Sequence, residues 1–270
     1  MNKISQTIKL NSGHNIPRIG LGTWKIKNDE VEGVVINALQ LGYHHLDTAK
    51  VYGNEIGVGR GIKLSHIPRK QIFVTTKLAV WDLSRPQEAF RESLARLGLD
   101  YVDLYLIHWP FIFWKRAWQG LEKIFTEGKA KSVGVSNFGI RELETMKKFS
   151  GLVPAVNQIE ITPFLTRSEL VNYCQSEGIV VEAYSPLARG KRINDPQIAK
   201  IAQKYHKTPA QIFLRWGLQR NLVMLPKAQN PEHLKNNFDL FTFEISPADI
   251  ALLDSLNENS SALFPGWTRT

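Results

Sequence analysis

The sequence predicts a (β/α)8 barrel, the TIM-barrel class of α/β fold, on two observations. Short apolar segments rich in β-branched residues alternate with longer segments of helical period, and this pair recurs eight times. No Pro- or Ser-rich linker interrupts the series, although 270 residues would also suit two ordinary domains. We therefore expect one domain over residues 1–270, in which parallel strands joined by helices close on themselves.

The predicted strands are short runs of the residue types that favour a buried parallel sheet. In chain order they are Ile19–Thr23, Tyr43–Thr48, Ile72–Thr76, Val102–Ile107, Ser132–Ser136, Ala155–Ile159, Ile179–Ala183 and Leu222–Leu225. Before them, a turn-rich tetrapeptide at 11–14 separates Thr7–Leu10 from Asn15–Pro17. This pattern predicts a small β-hairpin, and we expect the hairpin to close the bottom of the barrel.

Amphipathic segments lie between the strands, several of them begun by a capping residue or a proline, as at Ser84–Pro86. They include Glu30–Leu41, Pro86–Leu97, Trp118–Glu127, Arg141–Phe149 and Arg167–Glu177. A doubly wound open sheet is the competing architecture, but it needs a glycine-rich phosphate loop directly after its first strand. The similar string GVGRG at 57–61 lacks the spacing and the preceding strand, so we predict that it forms the close-packed face of a helix.

Composition and charge narrow the partners and the compartment. The net charge of +9 favours anionic partners, whether a phosphorylated cofactor, an acidic substrate or nucleic acid, but the basic clusters lack the aromatic residues of a nucleic-acid groove. The single cysteine, Cys174, cannot form an intrachain disulfide. No apolar run approaches the roughly 20 residues of a membrane span. We expect a cytoplasmic monomer that binds no nucleic acid, no membrane and no metal.

The active site of such a barrel lies at the carboxyl ends of its strands, where polar residues follow three neighbouring apolar runs. Asp47, Lys77 and His108 end the second, third and fourth predicted strands, and Tyr52 follows in the loop after the second. Each alone has a structural explanation, such as capping, packing or solvation. Together they suggest that the lysine lowers the pKa of the tyrosine from about 10, which makes Tyr52 a proton donor near neutral pH.

His108 is then placed to orient a substrate oxygen, and three tryptophans just beyond strand ends would wall the pocket with apolar surface. These are Trp24, Trp81 and Trp109; rim packing is the alternative role for each.

Three longer motifs carry a resemblance to a known family. The segments LGYHHLDTAKVYGNE at 41–55, LGLDYVDLYLIHWP at 97–110 and GVSNF at 134–138 are similar, in order, to signatures of the aldo-keto reductase family, and the resemblance extends along nearly the whole chain. It implies that Asp47, Tyr52, Lys77 and His108 are the family's catalytic tetrad. It also implies NADPH as cofactor, bound across the barrel mouth without a Rossmann loop, and a small carbonyl compound as substrate.

The resemblance places cofactor contacts residue by residue. It implies that the nicotinamide carboxamide is held by Ser136, Asn137 and Gln158, and that the Tyr184 ring stacks on the nicotinamide. The pyrophosphate would contact Ser185 and Leu187, the 2′-phosphate would contact Lys227 and His233, and the adenine would contact Asn237. Thr23 and Asp47 would be further cofactor contacts. Two departures weaken the phosphate site, since Ala228 replaces a usual Ser and His233 a usual Arg. NADH is therefore the alternative cofactor.

The function that follows is NADPH-dependent reduction of aldehydes or ketones to alcohols, of the aldehyde reductase or alcohol dehydrogenase (NADP+) type, with Tyr52 as general acid. The alternatives are a cofactor-binding regulatory or interaction subunit and, from the charge, a nucleic-acid-binding protein. The loop Pro110–Trp118 and the tail Asn257–Thr270 are short, so we predict a shallow, open pocket.

Overall fold

The computed structural model describes residues 6–263 and begins with the predicted hairpin, whose strands β1 (Thr7–Lys9) and β2 (Asn15–Pro17) pair antiparallel. Eight parallel strands then form the barrel, which confirms the predicted TIM-barrel fold. They are β3 (Leu21–Gly22), β4 (His45–Asp47), β5 (Phe73–Leu78), β6 (Leu104–Ile107), β7 (Val133–Ser136), β8 (Val156–Glu160), β9 (Val180–Tyr184) and β10 (Val223–Leu225).

The barrel closes between its first and last strands. Each strand from β3 to β10 pairs with the next one along the chain. Across the remaining gap, the Gly20 amide donates to Met224 O at 3.0 Å, and the Met224 amide donates to Arg18 O at 2.8 Å. Because all strands run parallel, their carboxyl ends share one rim, where the connecting loops build the site.

Ten α-helices are assigned within the described residues, and they surround the barrel. They are α1 (Asn28–Gln40), α2 (Glu55–Leu64), α3 (Pro86–Leu97), α4 (Trp114–Thr126), α5 (Ile140–Lys147), α6 (Ser168–Ser176), α7 (Pro196–Tyr205), α8 (Pro209–Gln219), α9 (Pro231–Phe238) and α10 (Pro247–Asp254). Helix α3 has the predicted bounds, with Pro86 in its first turn and Gly98 in the left-handed region after its end (φ +62°). Helix α4 begins four residues before the predicted Trp118, because Phe113 (φ +73°) already turns the chain into it.

The glycine-rich string lies in α2 and forms a close-packed helix face, as predicted. A Cβ at Gly59 would lie 2.0 Å from Leu97 O, and one at Gly57 would lie 2.2 Å from Asn28 O. The missing side chains therefore let α2 pack directly on its helical neighbours α1 and α3.

The hairpin covers the amino-terminal end of the barrel. Leu10 and Ile16 are buried against the first residues of several strands. Beside them, Asn11 Nδ2 donates to Pro154 O at 3.1 Å, and the Ser12 and Ser132 hydroxyls are 2.7 Å apart. The lower barrel is therefore an apolar core, whereas the upper barrel contains the buried polar side chains of the site.

No helix between residues 6 and 263 combines the length and the apolar character that a membrane crossing requires.

Candidate active site

A cavity of about 360 Å³ opens at the carboxyl ends of the strands. Ten of the sequence-predicted site residues line it: Trp24, Asp47, Tyr52, His108, Trp109, Asn137, Gln158, Tyr184, Ser185 and Lys227. Four lining residues were not predicted, namely Gly22, Val51, Leu225 and Leu263. The structure therefore brings together residues from loops that are far apart in sequence.

The centre of the site is the fully buried ammonium of Lys77 on β5. Its Nζ donates to both carboxylate oxygens of Asp47, at 2.7 and 2.8 Å, and to Thr48 O at 2.9 Å. It also lies 3.2 Å from the Tyr52 hydroxyl, to which it donates. One buried cation thus joins a carboxylate at the end of β4 to a phenol at the cavity wall.

His108 follows β6 and faces Tyr52 across the cavity. The two rings meet edge to face, with their centroids 5.8 Å apart and an interplanar angle of 76°. The backbone fixes this position, since the His108 amide donates to Leu78 O at 3.2 Å and Asn137 Nδ2 donates to His108 O at 3.1 Å. A ligand oxygen placed beside the Tyr52 hydroxyl would therefore also lie near the imidazole.

The protonation of these groups corrects one sequence-based expectation. Burial raises the pKa of Tyr52 above its ordinary value; the attraction of Lys77 lowers it, but not by enough to reverse the direction. Burial lowers the pKa of Lys77, but Asp47 and Tyr52 together more than compensate and raise it. The expected lowered pKa of Tyr52 was wrong, and the tyrosine is a neutral phenol that carries its proton at neutral pH.

The imidazole of His108 is neutral as well. Burial, followed by the nearby Lys77 charge, lowers the pKa of His108 to about 3. A neutral imidazole carries one N–H donor and one acceptor nitrogen. His108 is thus equipped to form a hydrogen bond but not to act as a cationic acid.

Two strand ends hold non-glycine residues in the left-handed region, namely Asn137 (φ +63°) after β7 and Ser185 (φ +47°) after β9. Such backbone is costly and concentrates at functional sites. The Asn137 amide is bound on both sides, because its Nδ2 donates to Ser136 Oγ at 3.0 Å and its Oδ1 accepts from the Tyr184 hydroxyl at 2.8 Å. These bonds fix the Tyr184 ring as one wall of the cavity.

Gln158 on β8 has an orientation that its partners determine. Its Nε2 donates to Asp47 Oδ2 and to Glu182 Oε2, each at 2.9 Å. Both partners are carboxyl oxygens, so the nitrogen must face them. The carbonyl oxygen of Gln158 is then the atom left to accept a hydrogen bond from a ligand.

At the far end of the cavity, exposed Lys227 is held by polar neighbours. Its Nζ donates to Gln229 Oε1, and Gln229 Nε2 donates to Glu30 Oε2 at 3.0 Å. His233, in the first turn of α9, is exposed, whereas Ala228 is buried. Gln229 therefore links Lys227 to the Glu30 carboxylate through two hydrogen bonds, and the sequence did not reveal this link.

Four other predicted cofactor contacts, Thr23, Ser136, Leu187 and Asn237, do not line the cavity. Thr23 is buried and donates to Asp47 O at 2.9 Å, and Ser136 is buried and donates to Gln158 O at 2.8 Å. Leu187 is half-buried after β9, and Asn237 is buried on α9. Thr23 and Ser136 thus bond to lining residues, and none of these four residues is itself among those that line the cavity.

Trp81 does not reach the cavity. It lies in a 3₁₀ turn, Val80–Asp82, and its side chain is 64% exposed. The neighbouring Asp82 is buried and pairs with Lys50 and Arg85, each at 2.6 Å, which turns that residue inward and the tryptophan outward. This geometry gives the predicted pocket role of Trp81 no support.

The carboxy-terminal segment contributes Leu263 to the cavity wall. Glu160, at the end of β8, anchors it: its carboxylate accepts from the Ala262 amide at 2.8 Å and from the Ser261 hydroxyl at 2.5 Å. A tail that we expected to leave the pocket open therefore reaches its edge, whereas residues 264–270 lie outside the described residues. The acid at the end of an apolar strand was the only sequence signal of this anchor.

The sequence model of the Aldo/keto reductase family matches residues 18–258. An aldo-keto reductase of Mycobacterium sp. is 44% identical, with 94% of this chain and 92% of the relative covered; the glyoxal reductase of Bacillus subtilis is 42% identical, with 95% and 94% covered. Among solved structures, an aldo-keto reductase from Brucella melitensis has a TM-score of 0.89 at 44% identity, covering 93% of this chain and 99% of that one. A Bombyx mori aldo-keto reductase in complex with NADP has a TM-score of 0.89 at 38% identity, covering 95% of this chain and 94% of that one.

The barrel, the polar cluster at its mouth and these similarities define the chain as an oxidoreductase. It belongs to the aldo-keto reductase family, as the three sequence motifs indicated.

Proposed function

We propose that the protein is an NADPH-dependent reductase of aldehydes and ketones in which Tyr52 protonates the carbonyl oxygen. The observation that carries the proposal is the buried Lys77 ammonium, which joins Asp47 to the Tyr52 hydroxyl at the wall of the cavity. A cation in this position stabilises the phenolate that remains after a tyrosine gives up its proton. If the Lys77–Asp47 ion pair only stabilised the fold, it would not need a cavity and the neutral His108 ring beside it.

The residues at the barrel mouth fit a nicotinamide cofactor. The carbonyl oxygen of Gln158 is available to the N–H₂ group of a carboxamide, and the fixed Tyr184 ring offers a flat face for stacking. Lys227 supplies a cation at the far end of the cavity for a phosphate. The Bombyx mori relative in complex with NADP supports the same class of cofactor here.

When bound, the cofactor supplies hydride to the carbonyl carbon. Tyr52 donates its proton to the carbonyl oxygen, and the Lys77 ammonium stabilises the resulting phenolate. Asp47 holds the lysine charged and in place, and the neutral His108 ring orients the carbonyl oxygen by a hydrogen bond. The apolar rings of Trp24 and Trp109 exclude water from this part of the cavity.

The proposal is tested with purified protein, NADPH and a panel of small carbonyl compounds. The panel includes short aldehydes, simple ketones and, because one relative is a glyoxal reductase, α-dicarbonyls. We expect NADPH oxidation that depends on the carbonyl compound and yields the alcohol. Tight NADPH binding without turnover across the panel would overturn the enzymatic proposal in favour of a regulatory subunit.

Cofactor preference provides a prediction about Glu30. Its carboxylate is bonded to Gln229, which binds Lys227, so it weakens the positive field where a 2′-phosphate would bind. We expect Glu30→Gln to raise the ratio of kcat/KM for NADPH over NADH by about two- to fivefold, the range of one exposed charge interaction. Initial rates with both cofactors measure this ratio.

Glu32→Gln is the matched control, because Glu32 lies on the same helix but pairs with Arg60 at 3.1 Å, on the side facing α2. Its ratio should equal that of the wild type. An unchanged ratio in the Glu30 variant would show that this carboxylate has no influence on cofactor choice.

Three further expectations stay predictions: one domain over residues 1–270, a monomer, and a cytoplasmic location. The burial of Cys174 at 0% exposure agrees with a thiol that takes no part in disulfide chemistry, and it supports the last of these.

A further inference from the structure

A second carboxyl group lies inside the barrel, beneath the proposed catalytic residues. Glu182 is in the middle of β9, and its side chain is completely buried. Its Oε2 accepts a hydrogen bond from Gln158 Nε2, whose other hydrogen is directed to Asp47. One amide group thus connects a carboxylate that is paired with Lys77 to a carboxyl group that has no direct cationic partner among the described residues.

The other oxygen of this group, Glu182 Oε1, forms no hydrogen bond within residues 6–263. It lies 3.6 Å from Nε2 of His45 on β4. The Nδ1 of that ring is 3.3 Å from Pro17 O, which can only accept, so Nδ1 carries the hydrogen. Burial lowers the pKa of His45 to about 3, which leaves the ring neutral.

The lone pair of His45 is therefore on Nε2, which lies 3.1 Å from the Thr75 hydroxyl. Glu182 Oε1 faces this acceptor nitrogen. An ionised Glu182 would place a negative charge against this lone pair and across one amide group from the Asp47 carboxylate. A neutral carboxylic acid avoids both repulsions.

We propose that Glu182 is a positioning residue which, as a neutral carboxylic acid, holds the Gln158 amide so that its carbonyl oxygen faces the cofactor site. The inference rests on the proposed function, because it assigns Glu182 a part in binding the nicotinamide carboxamide. With Glu182 neutral, Asp47 is the one carboxylate of the cluster that opposes the Lys77 charge, beside which the Tyr52 hydroxyl lies.

The groups that face Glu182 are His45 and Asp47 of β4, Lys77 of β5 and Gln158 of β8. Burial first and Asp47 second raise the pKa of Glu182, while Gln158 and Lys77 lower it, and the result is about 8. Glu182 is thus mostly neutral below a pH of about 8. In more alkaline solution its charge would repel the Asp47 carboxylate across the Gln158 amide, so we expect the amide to be displaced there.

The raised pKa of Glu182 also makes the stability of the fold depend on pH. An unfolded glutamate ionises near 4.5, so between pH 4.5 and 8 the native state binds one more proton than the unfolded state. The free energy of unfolding therefore falls as the pH rises from 4.5 to about 8, and Glu182 causes no further fall above that pH. A residue that cannot ionise at position 182 should remove this part of the pH dependence.

The test compares Glu182→Gln with Glu182→Leu. The glutamine side chain keeps an oxygen that accepts a hydrogen bond from Gln158, and its N–H₂ group can donate to His45 Nε2 as the O–H group of a neutral acid would. Leucine has a similar size but no polar atom. The dissociation constant for NADP⁺ is measured by quenching of tryptophan fluorescence, since Trp24 and Trp109 line the cavity. Thermal unfolding without cofactor is measured at the same pH values.

We expect the wild type to bind NADP⁺ less tightly above pH 8, and Glu182→Gln to bind like the wild type below pH 8 without that alkaline loss. Glu182→Leu should bind about tenfold more weakly at every pH, the effect of one lost hydrogen bond to a buried polar group. The melting temperature of the wild type should fall relative to that of Glu182→Gln as pH rises from 4.5 to 8.

The same alkaline loss in Glu182→Gln as in the wild type would overturn the inference. If Glu182→Leu does not fold, the comparison between the glutamine variant and the wild type decides alone. A wild-type protein that binds no NADP⁺ overturns the proposed function, whereas one that binds it with an affinity independent of pH across this range overturns only the role of Glu182.

Discussion

Tyr52→Phe is expected to bind NADP⁺ with nearly the affinity of the wild type and to lose carbonyl reduction by a factor of about 10²–10⁴, the range of a general acid. The substitution removes one oxygen, 3.2 Å from Lys77 Nζ, and leaves the ring against His108. The site keeps its shape but has no proton to give. Measurements of kcat/KM with a reactive small aldehyde and of the dissociation constant for NADP⁺ separate the two effects.

The matched control is Tyr105→Phe. Tyr105 is also fully buried in the barrel, but its hydroxyl has no hydrogen-bond partner among the described residues, so its removal should change neither activity nor cofactor binding. Wild-type turnover by the Tyr52 variant would exclude this tyrosine as the proton donor. Equal losses in both variants would point to damage of the barrel interior rather than to lost chemistry.

The polar residues at the strand ends could be predicted from the sequence, because each one directly follows the apolar residues of its own strand. A polar residue that ends an apolar strand must lie at the rim of a parallel barrel, so the sequence alone predicts that Asp47, Lys77 and His108 lie together. The packing of Gly57 and Gly59 was predictable for the same reason, since glycines repeated along one helix indicate a close neighbour.

What could not be predicted depends on distances across the barrel. The net shift of the Tyr52 pKa is a balance between burial and the Lys77 charge, and the depth of burial is not a property of a motif. Glu182 is an acid within an apolar strand, which the sequence displays, but its partners Gln158 and His45 are far from it along the chain. The outward direction of the Trp81 side chain accompanies an ion pair between Asp82 and Arg85, which the sequence does not display.

Asp47 is the residue on which the separate parts of the site depend. It receives hydrogen bonds from Lys77 and Gln158, and its backbone oxygen receives one from Thr23. The proposed proton donor and the proposed carboxamide contact therefore share one carboxylate. A change at Lys77 should be felt in both stability and catalysis, and the two effects can be separated.

Lys77→Met is expected to abolish measurable carbonyl reduction and to lower the free energy of unfolding by about 3–5 kcal/mol, because Asp47 is left buried without its cation. The double variant Asp47→Asn/Lys77→Met carries neither charge. It should recover most of the stability, since an asparagine can still accept from Gln158, but none of the activity. Urea unfolding curves and single-turnover rates with NADPH measure the two quantities on the same preparations.

The comparison between the single and double variants distinguishes two explanations for an inactive protein. If the unpaired Asp47 charge causes the instability, its removal in the double variant must relieve it. If lost packing of the lysine stem causes it, the double variant will be no more stable than the single one. Activity that returned with stability would mean that Lys77 only supports the fold. Because Lys77 Nζ lies within hydrogen-bonding distance of the Tyr52 hydroxyl, we expect stability to return and turnover to remain absent.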